Sequence, residues 1–162
     1  AGETAIREFQ NGNSCIVRTA WLYSEHGKNF AKTMTVRALG GEAVRVVDDQ
    51  FGQPTSAHDV AQLILDISQL IEMPPIAHGT NSGQATWFHF AQEIYSQLGA
   101  DPALVSPVDT SAFPTVAKRP TYSVLDHSDF PAWGLQPMQN WQVGLSDSIE
   151  RIRMAIQKET SL

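Results

Sequence analysis

Short β-branched runs alternate with longer stripes of helical spacing along the chain, and this alternation predicts an α/β fold. The segment Ser14–Tyr23 is continuously apolar at Cys15–Val17, which is typical of a strand buried on both faces of a parallel sheet. We expect that strand to cover Cys15–Leu22. Val44–Val47 and Ile76–His78 predict two further strands. The expected architecture is therefore a set of short parallel strands covered by helices.

Amphipathic stripes predict three helices between and after these strands. Asn29 is expected to cap the first helix, which ends at Gly40-Gly41. Thr86 is expected to cap the third, which ends at Gly99. The second helix is expected to end before Pro74-Pro75. The apolar members of the second and third stripes are Val60, Leu63, Ile64, Ile67, Leu70 and Ile71, then Trp87, Phe90, Ala91, Ile94 and Leu98.

The two ends of the chain are predicted to be helical. Residues 1–10 have apolar positions at helical spacing with no capping residue before them, which suggests the last turns of a helix that begins upstream. The turn Asn11–Asn13 then leads into the first strand. The last helix is expected from about Ser146, after an irregular, proline-rich region from Asp101 to Pro137.

The acidic balance of the chain argues against several classes of partner. The formal net charge is −6 and the pI is near 5.2, with no cluster of basic residues, which disfavours nucleic acid and an anionic membrane. A small anionic ligand remains compatible because a few cations can converge locally. No segment approaches the roughly 20 apolar residues of a membrane span. The lone Cys15 excludes an internal disulfide and favours a reducing, cytoplasmic setting.

Short motifs assign no chemistry to the chain. The glycine-rich phosphate loops and the Gly-x-Ser-x-Gly elbow are absent from the sequence, and the five histidines and one cysteine show no zinc-ligand spacing. Asp48 and Asp49 are neighbours that point to opposite faces of a strand, so we expect a solvated strand end. A loop with Gly52 and Pro54 follows. The residues alone predict an acidic α/β domain without an assigned activity.

Five ordered segments, with a final Trp141-x-x-Gly144-Leu145, resemble one enzyme family over essentially the whole chain. They are AGE at 1–3, IVRTAWLYSEHGKNF at 16–30, VVDDQFGQPTSAHDVA at 46–61, HGTNSGQATWFHFAQEI at 78–94 and AKRPTYSVLD at 117–126. The chain is similar to the dTDP-4-dehydrorhamnose reductases, which are extended short-chain dehydrogenase/reductases. The resemblance implies the carboxy-terminal portion of such a reductase, with the last Rossmann strands and helices and the small substrate-binding subdomain in residues 1–162.

The resemblance also implies an activity and the location of its catalytic residues. The family reduces the 4-keto group of dTDP-4-dehydro-6-deoxy-L-mannose with NADPH, giving dTDP-L-rhamnose for polysaccharide synthesis. Its NADP-binding Rossmann half and its catalytic Tyr-x-x-x-Lys pair would lie upstream of Ala1. Tyr23, Tyr95 and Tyr122 have no lysine four residues later. We therefore expect no catalytic, cofactor-binding or metal residues in this chain, and no turnover by the chain alone.

Trp21 is the substrate-binding residue that the resemblance favours most. A tryptophan after this strand contacts the deoxysugar in the family, whereas the residues alone would favour a core tryptophan at a strand end. Tyr23, Trp87, Phe90 and Trp141 are interpreted as packing residues. Arg18 is interpreted as a structural ion-pair partner.

Five polar residues complete the candidate substrate site, each with a structural alternative. Gln50, Gln53 and Thr55 contact the nucleotide or only shape their loop. Asn29 acts at the diphosphate from a helix amino terminus or is a plain cap. Arg119 pairs with a phosphate or braces its loop against a carboxylate, and the second role is slightly favoured.

Several partners and alternative functions accompany this interpretation. A fused or neighbouring 3,5-epimerase is one expected partner, and self-association or strand exchange at the open edge of the Cys15–Leu22 strand is another. A regulatory subunit of methionine adenosyltransferase shares the fold and the 49–55 loop pattern, and is the competing hypothesis. Another sugar-nucleotide epimerase or dehydratase is disfavoured because Trp21 stands where those enzymes usually carry asparagine.

Overall fold

The computed structural model describes residues 2–9, 14–114 and 116–161, and the expected turn at Asn11–Asn13 lies outside them. In this part of the chain, five α-helices and eight short strands alternate, which confirms the α/β class. The helices are α1 Gly2–Phe9, α2 Phe30–Leu39, α3 Ala57–Ser68, α4 Trp87–Gln97 and α5 Trp141–Thr160. The strands are β1 Ile16–Arg18, β2 Leu22–Tyr23, β3 Val44–Val47, β4 Phe51–Gly52, β5 Thr55–Ser56, β6 Ile76–His78, β7 Ala85–Thr86 and β8 Val105–Val108.

The strands form pairs, most of them parallel. β1 pairs with β6, β2 with β5 and β3 with β8 in parallel, and β4 pairs with β7 antiparallel. In each parallel pair at least one helix lies between the strands in sequence, as parallel pairing requires a long crossover. The register of β1 with β6 places Arg18 opposite His78 at the carboxyl ends of the strands.

The predicted strand Cys15–Leu22 is wrong as a single element, because Trp21 interrupts it. Trp21 has a φ of 48°, in the left-handed region that side chains other than glycine rarely adopt. The interruption turns the chain from β1 into β2, and the Trp21 carbonyl accepts a hydrogen bond from the Thr55 amide at 3.2 Å. A non-glycine residue held in this conformation is a mark of functional sites.

The predicted helix starts at Asn29 and Thr86 are confirmed. The Asn29 side chain accepts from the Lys32 amide at 3.0 Å, and Thr86 Oγ1 accepts from the His89 amide at 3.2 Å. The predicted start of the last helix near Ser146 is wrong. That helix begins at Trp141, because the Asn140 side chain caps it by accepting from the Gln142 amide at 2.9 Å.

Two apolar clusters form the core. The larger joins α2, α4 and α5 around Phe90, Ile94 and Leu145, and the smaller packs α3 and β6 against residues 130–138. The predicted stripe on α3 is narrower than expected, since Ile64 is exposed and Ile71 lies beyond the end of the helix at Ser68, fully exposed. No helix in the described part of the chain is long and apolar enough to cross a membrane.

The expectation of a solvated strand end at Asp48-Asp49 is wrong. Asp48 accepts a hydrogen bond from Thr86 Oγ1 at 2.6 Å, and Asp49 accepts from the amide and the hydroxyl of Thr110 at 3.0 and 2.6 Å. The donors lie far along the chain, so the sequence pattern did not reveal them. The loop predicted after Asp49 also contains the short strands β4 and β5, which pair with β7 and β2.

Candidate functional site

One large cavity, of about 750 Å³, opens beside β3 and the amino-terminal ends of α2 and α4. A volume of this size accommodates a ligand as large as a nucleotide or a cofactor. Its remaining wall comes from residues 110–114 and 116–123, which we call the 110–123 segment. The lining residues are Ala20, Trp21, Phe30, Met34, Arg45, Val46, Val47, Gln50, Trp87, Thr110, Phe113, Arg119, Pro120 and Ser123.

Aromatic rings form one wall of the cavity. The indoles of Trp21 and Trp87 stack with 3.5 Å between ring centroids and 9° between planes. Phe30 lies against Trp87 at a centroid distance of 4.7 Å. Gly52 approaches Trp21 so closely that a Cβ atom there would lie 2.4 Å from the indole. The absence of a side chain at Gly52 is therefore what leaves room for the ring of Trp21.

The charged groups that line the cavity are both arginines. Arg45 projects from β3 and Arg119 from the 110–123 segment, and both are exposed. Within the residues that the structure describes, neither guanidinium has a carboxylate partner. A cavity lined by cations and aromatic rings suits a ligand that carries an anionic group beside an apolar or planar one.

The segment 110–123 is held at both ends by three consecutive residues. Asp49 accepts from Thr110, and Gln50 Nε2 donates to Thr110 Oγ1 at 2.9 Å. The Phe51 amide donates to the Thr121 carbonyl at 2.8 Å, and the Phe51 carbonyl accepts from the Ser123 amide at 2.9 Å. The hydrogen bonds from Thr110 lower the pKa of the Asp49 carboxyl, so Asp49 remains an anion that holds the segment.

The structure brings three of the predicted site residues together in the cavity, namely Trp21, Gln50 and Arg119. Gln53 is buried outside its lining, where Oε1 accepts from the Leu125 amide at 2.7 Å and from Thr80 Oγ1 at 3.0 Å. Thr55 is also fully buried and donates to the Gln53 carbonyl at 2.9 Å. Both residues shape the loop that carries Gln50.

Asn29 lies outside this cavity, at the start of α2. Its side-chain oxygen caps the helix, and its Nδ2 donates to the Ser24 carbonyl at 2.8 Å. Arg18 also lies apart from the cavity and forms a two-bond pair with Glu3, at 2.7 and 2.6 Å, which confirms its structural interpretation. Glu3 raises the pKa of the Arg18 guanidinium.

Two cavity residues were missed by the sequence interpretation. Trp87 was interpreted as core, but it is only partly buried and contributes the ring that stacks on Trp21. Arg45 lies in none of the motifs described above. The signal for Arg45 was present, since it is the single charged residue in a strand of valines. Its importance depends on the cavity, which forms only when distant segments meet.

Tyr23, Phe90 and Trp141, unlike Trp87, are buried core residues, as their interpretation predicts. Tyr23 is buried against Phe90 at a centroid distance of 5.4 Å, and burial raises the pKa of its hydroxyl. Trp141 is buried in the larger core cluster. Among the described residues, no group of three or more His, Cys, Asp or Glu side chains could hold a metal ion.

Comparison with known proteins identifies the relatives of the chain. The model of one protein family, described as RmlD substrate binding domain, matches residues 1–154. A dTDP-4-dehydrorhamnose reductase of Streptomyces griseus is 43% identical over 152 residues, which is 91% of this chain and 50% of the relative. A probable dTDP-4,6-dihydroxy-2-methyloxan-3-one 4-ketoreductase of Streptomyces antibioticus is 41% identical over 140 residues, 86% of this chain and 48% of the relative.

Solved structures give the same result. A dTDP-4-dehydrorhamnose reductase from Bacillus anthracis in complex with NADP matches with a TM-score of 0.83 and 35% identity, covering 93% of this chain and 52% of that one. An orthologue from Clostridium acetobutylicum matches with a TM-score of 0.85 and 36% identity, covering 94% and 53%. The chain thus spans about half the length of the relatives that it matches.

Proposed function

The chain belongs to the RmlD substrate-binding domain family, and we propose from this that it is the substrate-binding part of an NADPH-dependent dTDP-4-dehydrorhamnose reductase. In this proposal residues 1–162 form one carboxy-terminal part, and the NADP-binding Rossmann half precedes them. The coverage of about half of each relative supports that division. The product, dTDP-L-rhamnose, would serve polysaccharide synthesis in the cytoplasm.

The cavity beside β3 is the observation that carries the proposal. A dTDP-deoxysugar presents an anionic diphosphate between a planar base and a sugar with an apolar face. The cavity offers the corresponding surfaces, with arginines on two walls and stacked indoles on another. We assign Trp21 to the deoxysugar, Arg119 to the diphosphate and Gln50 to a polar contact with the nucleotide.

The other predicted site residues support the cavity indirectly in this proposal. Gln53 and Thr55 hold the loop that carries Gln50, through the buried hydrogen bonds described above. Asn29 positions the start of α2, from which Phe30 reaches the cavity. Each of the three would then act through stability or loop position, without a contact to the ligand.

We further propose that the chain alone does not carry out the reduction. NADPH would supply a hydride to C4 of the sugar, but the sequence contains no glycine-rich phosphate loop to seat the dinucleotide. Tyr23 and Tyr95 are buried, and Tyr122, which is exposed, precedes Asp126 rather than a lysine by four residues. The given sequence therefore contains no Tyr-x-x-x-Lys pair, which is the proton donor that this proposal requires for the carbonyl oxygen.

Two partner proposals accompany this function. Within the described residues β1 pairs only with β6, so its other edge has unpaired backbone groups. We propose that the chain associates with itself at that edge, and a monodisperse monomer in multi-angle light scattering would contradict this. A fused or neighbouring 3,5-epimerase, which would supply the substrate, remains a further proposal.

Calorimetric titration of the chain with dTDP-L-rhamnose, dTDP and UDP-glucose tests the function. We expect the thymidine nucleotides to bind. Trp21→Leu should lower the affinity for dTDP-L-rhamnose about tenfold and leave the affinity for dTDP nearly unchanged. Arg119→Gln should weaken both, and Arg153→Gln, which removes a surface arginine on α5, serves as the charge-matched control. Equal affinity of Trp21→Leu and wild type for dTDP-L-rhamnose, or no binding by the folded wild type, would reject the assignment.

A further inference from the structure

We propose that Arg45 is a second diphosphate-binding residue of the cavity, acting together with Arg119 from a different wall. The proposal rests on the proposed function, because it takes the ligand to be a nucleoside diphosphate sugar. It adds a residue that lies in no glycine-rich or arginine-proline motif and that only the folded chain identifies.

The pairing of the arginines distinguishes Arg45 and Arg119 from the others. Arg18, Arg37, Arg151 and Arg153 each have a glutamate within 4.0 Å, namely Glu3, Glu42, Glu25 and Glu150. Of the arginines whose side chains the structure describes, Arg45 and Arg119 are the two without such a partner. Both of them line the same cavity. In a chain with 17 acidic and 11 basic residues, this shared lack of a carboxylate leaves the cavity with uncompensated positive charge.

The acidic residues nearest to Arg45 in sequence are engaged elsewhere. Glu42 pairs with Arg37 at 2.6 Å, Asp48 accepts from Thr86, and Asp49 accepts from Thr110. None of these carboxylates lines the cavity. Among the described residues, no carboxylate therefore competes with a ligand for the guanidinium of Arg45.

The backbone of Arg45 has a fixed position, because it belongs to the paired strand β3. β3 pairs with β8 in register, with Arg45 opposite Ser106, and Val46 is buried in the larger core cluster. Arg119, by contrast, comes from the segment that is held at Thr110 and Ser123. A diphosphate has oxygens on two phosphorus atoms, so guanidinium groups on two walls can each bind one phosphate. A monophosphate offers only one such group.

The number of phosphates on the ligand provides the test. Thymidine, dTMP and dTDP are titrated into wild type, Arg45→Gln, Arg119→Gln and the double variant, with Arg37→Gln as the control for the loss of a surface arginine. We expect Arg45→Gln to lower the affinity for dTDP about tenfold and to leave the affinity for thymidine unchanged. The preference for dTDP over dTMP should be smaller in this variant than in wild type by a similar factor. Arg45→Lys should recover part of the loss, because it restores the charge without the planar fork.

The outcomes separate this inference from the proposed function. Unchanged dTDP affinity in Arg45→Gln, with weakened binding in Arg119→Gln, would overturn the assignment of Arg45 alone. No binding of any thymidine nucleotide by folded wild type would overturn the proposed function as well. A similar loss in Arg37→Gln would show a general effect of net charge and would also overturn the assignment. Circular dichroism of each variant verifies folding, and Arg45→Lys replaces Arg45→Gln if the glutamine variant is unfolded.

Discussion

Trp21 stacks face to face on Trp87, and its backbone adopts a left-handed conformation to reach that position. A parallel stack with 3.5 Å between centroids leaves no space for a ligand between the two rings. Under the proposed function, the deoxysugar would therefore contact a part of Trp21 that Trp87 leaves open. Trp87 sets the plane of Trp21, and through it the shape of the cavity wall.

Replacing Trp87 should change ligand binding through Trp21. We expect Trp87→Leu to lower the affinity for dTDP-L-rhamnose about two- to tenfold, since an aromatic pair contributes about 0.5–1.5 kcal/mol beyond its buried area. The near-ultraviolet circular dichroism of the stacked indoles should also decrease. Trp133→Leu, a half-buried tryptophan in the smaller core cluster, is the matched control. An unchanged affinity and spectrum in Trp87→Leu would contradict this role.

A methyl group at Gly52 should displace Trp21. The new Cβ would lie 2.4–2.6 Å from three atoms of the indole, so Gly52→Ala should lower the free energy of unfolding by about 1–3 kcal/mol. Gly52→Ala should also lower the affinity for dTDP-L-rhamnose. Gly2→Ala is the control, because a Cβ there meets nothing within 4 Å and lies in a helix. Equal stability of Gly52→Ala and wild type in urea would show that the ring has room to move.

Gln53 should matter for stability far more than Gln50. Gln53→Ala leaves the partly buried Leu125 amide without its acceptor and removes one of the two partners of the buried Thr80 hydroxyl, the other being His127 Nε2. We expect the free energy of unfolding in urea to fall by about 2–4 kcal/mol. Gln50→Ala removes one hydrogen bond to Thr110 in a partly buried position, and should cost less than about 1.5 kcal/mol. Similar losses in both variants would mean that the buried position of Gln53 confers no special role.

Asn29→Ala separates capping from ligand binding. Removal of the cap should destabilise the chain by about 1 kcal/mol. Asn29→Asp should retain the cap but lose the hydrogen bond that Nδ2 donates to the Ser24 carbonyl, so it should recover only part of that stability. The affinity for dTDP should stay unchanged in both variants, as measured by calorimetry. A loss of dTDP affinity in Asn29→Ala at full folding would instead place Asn29 at the diphosphate.

Acid should destabilise the chain in part through His127. Burial, and then the neighbouring His78, lower its pKa below the ordinary value of 6.5, so the unfolded chain binds the proton first. The contribution of His127 to the free energy of unfolding is therefore fully present above pH 6.5. It is lost as the pH falls from 6.5 towards the lowered pKa. Between pH 7.5 and pH 5.5, the free energy of unfolding in urea should fall less in His127→Asn than in wild type. His26→Gln, at an exposed position, should show the wild-type loss.

The features that the sequence predicts well are those whose causes are local. The start of α2 follows from Asn29 and the apolar spacing after it, and the end follows from Gly41, whose φ is 65°. Three of the predicted site residues, Trp21, Gln50 and Arg119, also lie at the cavity, and they were predicted from the family resemblance rather than from any local signal.

The features that the sequence did not predict depend on contacts between distant segments. A left-handed tryptophan has no local signature, so the break of the first strand at Trp21 was not visible. Asp49 was expected in solvent because its partner, Thr110, lies 61 residues away. Arg45 acquires its significance only from the cavity that it lines and from the lack of a carboxylate partner among the described residues.

The attachment of the 110–123 segment to Asp49, Gln50 and Phe51 has a consequence for engineering. Three adjacent residues hold both of its ends, so the side chains between the attachments can change without loss of the anchoring hydrogen bonds. Phe113, Arg119 and Pro120 lie in this interval. Libraries confined to the interval would therefore vary which ligand the cavity accepts, while the strand and loop beneath stay constant.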